Sequence, residues 1–80
     1  MTENEILSEL TAIFRDVFRD SSLTVTPTLS AEDVEKWDSL AHVDMLAAVE
    51  ERFQIRIPSW QMASLQNVGD LVQAITERLK

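Results

Sequence analysis

Apolar residues recur with the spacing of an α-helix over three long segments of this chain, and over a fourth segment that is short. The first helix is predicted from Glu3 to Phe18 or Arg19. Thr2 followed by Glu5 has the spacing of a capping box at its start. Its apolar stripe consists of Ile6, Leu10, Ile13 and Val17, widened by Leu7, Phe14 and Phe18. This stripe predicts one face packed against the rest of the domain.

The second helix is predicted from Ser39 to Phe53, and it carries two apolar stripes rather than one. The stripe expected in the core consists of Met45, Leu46, Val49 and Phe53. The flanking stripe consists of Leu40, Val43 and Ala47. Two stripes are more apolar surface than one side of a small bundle needs. Either both stripes are buried, or the flanking stripe stays partly exposed for partner proteins among the acidic residues of this helix.

A long connection, from Asp20 to about Asp38, joins these two helices. Connections longer than about 12–15 residues are uncommon unless they have a function. The apolar residues expected to pin this one to the core are Leu23, Val25 and Leu29. Ser30 followed by Asp33 predicts one short capped turn within it.

Two further helices are predicted after an extended link that ends at Pro58, which disfavours helix at the residue before it. Ser59 is expected to cap a short third helix from Trp60 to about Ser64. Trp60 itself either packs over the core or lines a groove between the second and third helices. Asn67 followed by Asp70 resembles a capping box for the fourth helix. The stripe of that helix consists of Val68, Leu71, Val72, Ile75 and Leu79.

Composition supports one all-α domain over residues 1–80. The chain has 45% hydrophobic residues, which argues against disorder, and its one glycine and two prolines leave little material for a turn-rich β-fold. It has no cysteine, hence no disulfide and no thiolate metal site. The N-terminus is acidic and lacks the apolar core of a secretory signal, and no apolar run reaches the ~20 residues of a membrane span. We therefore expect a cytoplasmic protein.

The net charge of −7 is concentrated in one part of the chain. Residues 31–51 hold seven acidic residues against the single base Lys36, so they account for −6 of that total. Such a surface repels nucleic acid and attracts basic protein surfaces by electrostatic steering. We therefore expect protein partners and exclude nucleic acid.

The acidic segment contains Asp38 and Ser39 at the predicted start of the second helix. Both side chains are common helix caps, and a hydroxyl at a helix N-terminus is well placed to carry a phosphate-linked group. His42 lies one turn further on, but a catalytic triad also needs a carboxylate, an oxyanion hole and a pocket. A chain with one histidine and one glycine offers little material for these, so we predict no catalytic residue and place His42 at the edge of the core. We also predict no metal site, since an EF-hand loop from Asp33 would have Asp38 at its glycine position.

Taken together, these residues resemble the acyl carrier protein family over nearly the whole chain. The residues that carry the resemblance are Asp38-Ser39-Leu40 at a helix start, Val43, Glu50-Glu51 with Phe53, Ile57-Pro58, and a last helix opening near Val68. The resemblance implies a four-helix bundle with a long first loop and a short third helix. It implies that a carrier-protein synthase (a phosphopantetheinyl transferase) moves 4′-phosphopantetheine from coenzyme A onto Ser39. The thiol of that arm then holds an acyl or aminoacyl group as a thioester, so the chain is a carrier and not an enzyme.

The resemblance also implies a recognition surface on the second helix for the synthase and for the enzymes that load and transfer acyl or aminoacyl groups. Asp38 would help to place the synthase. The other matching positions are Leu40, Val43, Asp44, Ala47, Glu50 and Glu51. We expect the carrier to be a monomer.

The sequence departs from the pattern of carriers for fatty-acid synthesis at a few positions. Trp37 stands where a small residue is usual, Ala41 stands where an acid is usual and His42 follows it, and Arg52 and Arg56 add positive charge near the end of the second helix. These departures resemble carriers dedicated to one pathway, such as a polyketide, modified-extender-unit or aminoacyl pathway. The alternative is an unmodified acidic helical domain for protein interaction, and attachment of phosphopantetheine to Ser39 distinguishes the two.

Overall fold

A computed structural model describes residues 1–79, and this part of the chain folds into four α-helices and one short 3-10 helix. The elements are α1 (Glu3–Val17), the 3-10 helix Ala31–Asp33, α2 (Ser39–Phe53), α3 (Ser59–Ser64) and α4 (Val68–Leu79). The predicted all-α fold class, with a long first loop and a short third helix, is confirmed.

The core is built from the apolar stripes of α1, α2 and α4. Its fully buried members include Ile6, Leu10, Leu46, Val49, Val68 and Ile75. Each such side chain contributes roughly 1.5–3 kcal/mol by leaving water. Leu79, the last member of the apolar stripe of α4, lies in the last turn of the helix and is 38% exposed.

The capping box of α1 is confirmed. The amide of Glu5 donates to Thr2 Oγ1 at 3.2 Å, and the amide of Thr2 donates to Glu5 Oε1 at 2.9 Å. The helix ends at Val17, before the predicted end, because Arg19 turns the chain with a left-handed φ of 53°. The amide of Asp20 then donates to the carbonyl of Arg15 at 3.1 Å, as in a Schellman motif.

The long loop between α1 and α2 is attached to the start of α4. The amide of Val68 donates to the carbonyl of Leu29 at 2.9 Å, and the amide of Gly69 donates to the carbonyl of Pro27 at 2.8 Å. A Cβ atom on Gly69 would lie 3.1 Å from that same oxygen, so glycine permits the close approach. The predicted pinning residues are buried (Val25) or partly buried (Leu23 and Leu29). The short turn capped by Ser30 and Asp33 is also confirmed.

The predicted cap of α3 is wrong. Ser59 is the first helical residue and Pro58 takes the capping position, where it makes no side-chain cap bond. The carbonyl of Pro58 instead accepts the amides of Gln61 and Met62, both at 3.0 Å. Proline with an extended ψ of 154° starts the helix through its backbone alone, so a serine cap is not required.

Polar contacts help to hold α3, because none of its residues is fully buried and only Met62 packs against the core. Arg78 of α4 donates from Nε to the carbonyl of Arg56 at 2.7 Å and from a terminal nitrogen to Oε1 of Gln61. The last helix therefore fixes both α3 and the link that precedes it.

The start of α4 has the predicted polar residues in a slightly different arrangement. Asn67 Oδ1 accepts the amide of Asp70 at 2.8 Å. The carboxylate of Asp70 accepts the amide of Gln66 at 3.1 Å, rather than that of Asn67. Among residues 1–79, no helix is both long and apolar enough to cross a membrane.

Candidate functional site

The start of α2 is capped by Asp38 and leaves Ser39 accessible. Asp38 has extended backbone angles, and its Oδ1 accepts the amide of Ala41 at 2.8 Å. Ser39 is the first helical residue and is exposed. Because the aspartate fills the cap, the serine hydroxyl is not needed for it and is available for chemistry at the surface.

The surroundings of Ser39 fit a phosphodiester. A 15-residue helix begins at this serine, and the N-terminus of a helix favours a negative charge through its dipole and its free amides. An exposed hydroxyl at this position can therefore be phosphorylated or joined to a phosphate-linked group without displacing a core contact.

A pair of aromatic rings lies close to this helix start. Trp37 is 9% exposed and packs edge-on against Phe14, with ring centroids 5.3 Å apart. Its indole N–H donates to Nδ1 of His42 at 3.0 Å, and the two rings stack with centroids 6.1 Å apart. Nε2 of His42 lies 3.4 Å from the carbonyl oxygen of Met62 in α3. Both bonds form when Nδ1 is unprotonated and Nε2 carries the hydrogen.

These contacts settle the position of His42. The residue is half-buried at the edge of the core, as the sequence predicts. Its ring nitrogens face Trp37 and Met62, so the ring links three elements and is not arranged as a base for Ser39.

A groove of about 510 Å³ lies between α2 and α3, and Ser39 is one of the residues that line it. Much of its lining is apolar, and the residues on its walls include Val43, Leu46, Met62, Ala63 and Leu65. Ser59, the first residue of α3, also lines it. An apolar groove next to an exposed serine can hold part of a group attached to that serine.

Trp60 does not belong to this groove. Its side chain is 73% exposed and it is absent from the groove lining, so both interpretations of Trp60 made from the sequence are wrong. The reason is that α3 buries none of its residues, and its first turn lies at the surface.

The flanking stripe of α2 is exposed, which decides between the two alternatives that the sequence left open. Leu40 is 73% exposed and Val43 is 61% exposed. Asp44, Ala47 and Glu51 are exposed beside them. This surface combines apolar and acidic groups.

Two charged residues near the end of α2 have structural partners that the sequence did not predict. Glu50 is half-buried, and its carboxylate accepts the amide of Ile57 at 2.8 Å. Arg52 forms an ion pair with Glu9 of α1. Arg52 and Glu9 are distant in the chain, and Glu50 reaches past the end of its own helix, so no helical spacing indicates either contact.

Sequence reasoning also missed the contact between Trp37, His42 and Met62. The one available signal was Trp37 itself, a large aromatic residue at a position where the family that the sequence resembles usually has a small one. Its partners lie in two other elements, and a single sequence does not pair them.

Comparison with known proteins gives a consistent result. Residues 8–75 match the family described as "Phosphopantetheine attachment site". The chain is 36% identical over 75 residues to the acyl carrier protein of Acidothermus cellulolyticus, covering 94% of this chain and 89% of the relative. It is 34% identical over 74 residues to the meromycolate extension acyl carrier protein of Mycolicibacterium smegmatis, covering 92% of this chain and 75% of the relative.

The fold has a close counterpart among solved structures. The solution NMR structure of a holo acyl carrier protein from Geobacter metallireducens superposes with a TM-score of 0.86 at 38% sequence identity. The match covers 91% of this chain and 84% of the other.

Proposed function

This chain belongs to the acyl carrier protein family, and from that premise we propose that Ser39 is the residue that carries its 4′-phosphopantetheine arm. The protein is a carrier and not an enzyme, and the arm is covalently attached. When bound, the arm supplies a terminal thiol that holds an acyl or aminoacyl group as a thioester. The carrier assignment replaces the alternative of an unmodified interaction domain.

The proposal rests on one observation, which is that Asp38 caps the start of α2 and Ser39 does not. Asp38 accepts the amide of Ala41 and so completes the helix start. Ser39 is exposed in the first turn and is free to be modified. Modification adds a phosphodiester where the helix dipole favours it and removes nothing from the core.

Asp38 has a second proposed role in placing the synthase. Its carboxylate accepts the amide of Ala41, which fixes the position of this acidic group at the helix start, one residue before Ser39. A fixed acidic group next to the acceptor is a suitable contact for a basic residue of the transferase.

We propose that partner enzymes dock on the exposed face of α2. The apolar part of this face consists of Leu40, Val43 and Ala47, and the acidic part of Asp44, Glu50 and Glu51. Exposed acidic groups attract basic partners and speed encounter, which suits a carrier that visits several enzymes in turn. Glu50 serves this face while its carboxylate also accepts the amide of Ile57.

We further propose that the carrier serves a dedicated biosynthetic pathway rather than housekeeping fatty-acid synthesis. Support comes from Trp37, which fills the space under the helix start, and from Ala41, which removes an acid from the first turn of α2. Arg52 supports it less than the sequence implied, since it pairs with Glu9. Transfer by housekeeping fatty-acid enzymes at normal efficiency would argue against a dedicated pathway. The cytoplasmic location and the monomeric state stay predictions from the sequence.

The attachment site is tested by intact-protein mass after incubation with coenzyme A, magnesium and a broad-specificity carrier-protein synthase. The wild type should gain one phosphopantetheine and Ser39→Ala should gain none. Ser59→Ala is the matched control, because Ser59 is also exposed, also begins a helix and lines the same groove. Loading of Ser39→Ala, or loss of loading in Ser59→Ala with loading retained in Ser39→Ala, would place the arm elsewhere.

A further inference from the structure

A short bridge crosses from the loop through α2 to α3 next to Ser39. It consists of the indole N–H of Trp37, the ring of His42 and the backbone carbonyl of Met62, and we call it the Trp37–His42–Met62 bridge. His42 and Met62 both line the groove, so the second bond spans it from one wall to the other.

The space beneath the bridge is already filled. Trp37 packs against Phe14 and Phe18, with centroids 5.3 and 5.7 Å apart. Leu46, which lines the groove, and Phe14, which packs against Trp37, are 1% and 0% exposed. An apolar chain that enters between α2 and α3 would have to displace these side chains as well as break the bridge.

The bridge is one of few contacts that position α3. No residue of α3 is fully buried; Met62 packs partly buried against the core, and Gln61 contacts Arg78 of α4. A helix with so little buried surface depends on each of its contacts, so loss of the His42 contact should weaken the attachment of α3 to α2.

We propose that the Trp37–His42–Met62 bridge keeps the cargo in the surface groove and out of the core, and that it restricts the carrier to short acyl groups. The inference rests on the proposed attachment at Ser39. A short acyl group fits within the open groove of about 510 Å³. A longer chain in this open groove keeps part of its surface in water, and the space beneath the groove is filled. Each added carbon therefore gains less free energy from the protein than it would in a closed apolar interior.

The test compares acyl groups of increasing length loaded from acetyl-, hexanoyl- and dodecanoyl-coenzyme A by the synthase. Intact mass first verifies loading in each sample, so failure of attachment is separated from failure of this inference. Thermal unfolding and amide NMR shifts then report where the acyl group lies. We expect the wild type to unfold at the same temperature with all three groups. We also expect the amide NMR shifts of Leu46 and Val68 to be unchanged. A rise of more than about 5 °C with dodecanoyl, together with shifts of those amides, would overturn the inference.

Variants test whether the bridge itself excludes the chain. His42→Ala removes both bonds, and Trp37→Phe removes the indole donor while an aromatic ring stays against Phe14. His42→Gln is the matched control, because its side chain keeps one acceptor and one donor. Each variant is compared with its own acetyl form, so a change in basal stability does not matter.

We expect dodecanoyl to stabilise His42→Ala by more than about 5 °C and His42→Gln not at all. Trp37→Phe gives the answer if His42→Ala fails to fold. If the folded bridge variants show no dependence on chain length, the bridge is not what excludes the cargo.

Discussion

The carboxylate of Glu50 accepts a hydrogen bond from the backbone amide of Ile57 at 2.8 Å, which ties the last turn of α2 to the link before α3. A residue on the proposed docking face therefore also supports the fold. Glu50→Ala should lower the free energy of unfolding by about 1–2 kcal/mol, since a part-buried amide loses a charged acceptor. Glu51→Ala is the matched control, because Glu51 is exposed, and should change stability by less than about 0.5 kcal/mol. Urea denaturation measures both, and equal losses would contradict the structural role.

The helix start of α2 predicts different effects for two adjacent residues. Asp38→Ala should cost about 1 kcal/mol of stability, because it removes the cap on the amide of Ala41. Ser39→Ala should cost less than about 0.5 kcal/mol, since the serine is exposed and Asp38 makes the cap. Asp38→Asn keeps the acceptor and should be close to wild type. If Ser39→Ala unfolds as readily as Asp38→Ala, the cap is assigned to the wrong residue.

Two aromatic residues provide a contrast between core and surface. Phe53 is 8% exposed, and Phe53→Ala should cost about 3–5 kcal/mol by leaving a cavity. Trp60 is 73% exposed, and Trp60→Ala should change stability by less than about 0.5 kcal/mol. Chemical denaturation of the two variants side by side is the measurement. A large loss on Trp60→Ala would mean that α3 packs through its first turn.

The stability of the loop after α1 depends on pH through the carboxyl group of Asp20. Hydrogen bonds from the side chain and then the backbone of Ser22 lower the pKa of the Asp20 carboxyl. Because the folded state holds the lower pKa, this group stabilises the fold above its unfolded pKa. That contribution is lost as the pH falls through the folded pKa.

Ser22→Ala should therefore raise the pKa of Asp20, as measured by NMR titration of its carboxyl group. The pKa of Glu5, which hydrogen bonds from Thr2 lower at the other end of α1, serves as the internal reference and should not move. An unchanged Asp20 titration in Ser22→Ala would show that the hydroxyl of Ser22 is not the cause.

Electrostatic docking predicts a charge-specific effect on loading. Glu51→Lys reverses a charge on the exposed face of α2 and should slow loading by the synthase, followed as a mass time course. Asp16→Lys makes the same change on an exposed residue of α1 and should load at the wild-type rate. The difference between the two should shrink at high ionic strength. Equal slowing would indicate an effect of net charge rather than of the docking face.

Local rules predicted much of this fold because the information lies within a few residues. The bounds of α2, the capping box at Thr2 and the turn at Ser30 each depend on neighbours in the chain. The sequence left undecided whether the flanking stripe with Leu40 is buried, because periodicity shows which residues share a helix face but not whether that face is covered.

Contacts between residues of separate elements could not be predicted from the sequence. Met62 meets His42 across 20 positions, and Arg78 meets Arg56 across 22. Such pairs depend on how helices dock, which depends on the whole core. The predicted cap of α3 was wrong for a different reason, because Pro58 takes the capping position through its backbone in place of the expected side chain of Ser59.

The attachment of the long loop to the start of α4 has a consequence for folding. The amide of Val68 donates to the carbonyl of Leu29, and Val68 is 0% exposed. This hydrogen bond can form only after two segments about 40 positions apart have met. Closing so large a loop costs chain entropy before it yields contacts. The amides of Val68 and Gly69 should therefore exchange hydrogen only when this junction opens, with a higher opening free energy than the amides of α3, which has no buried residue.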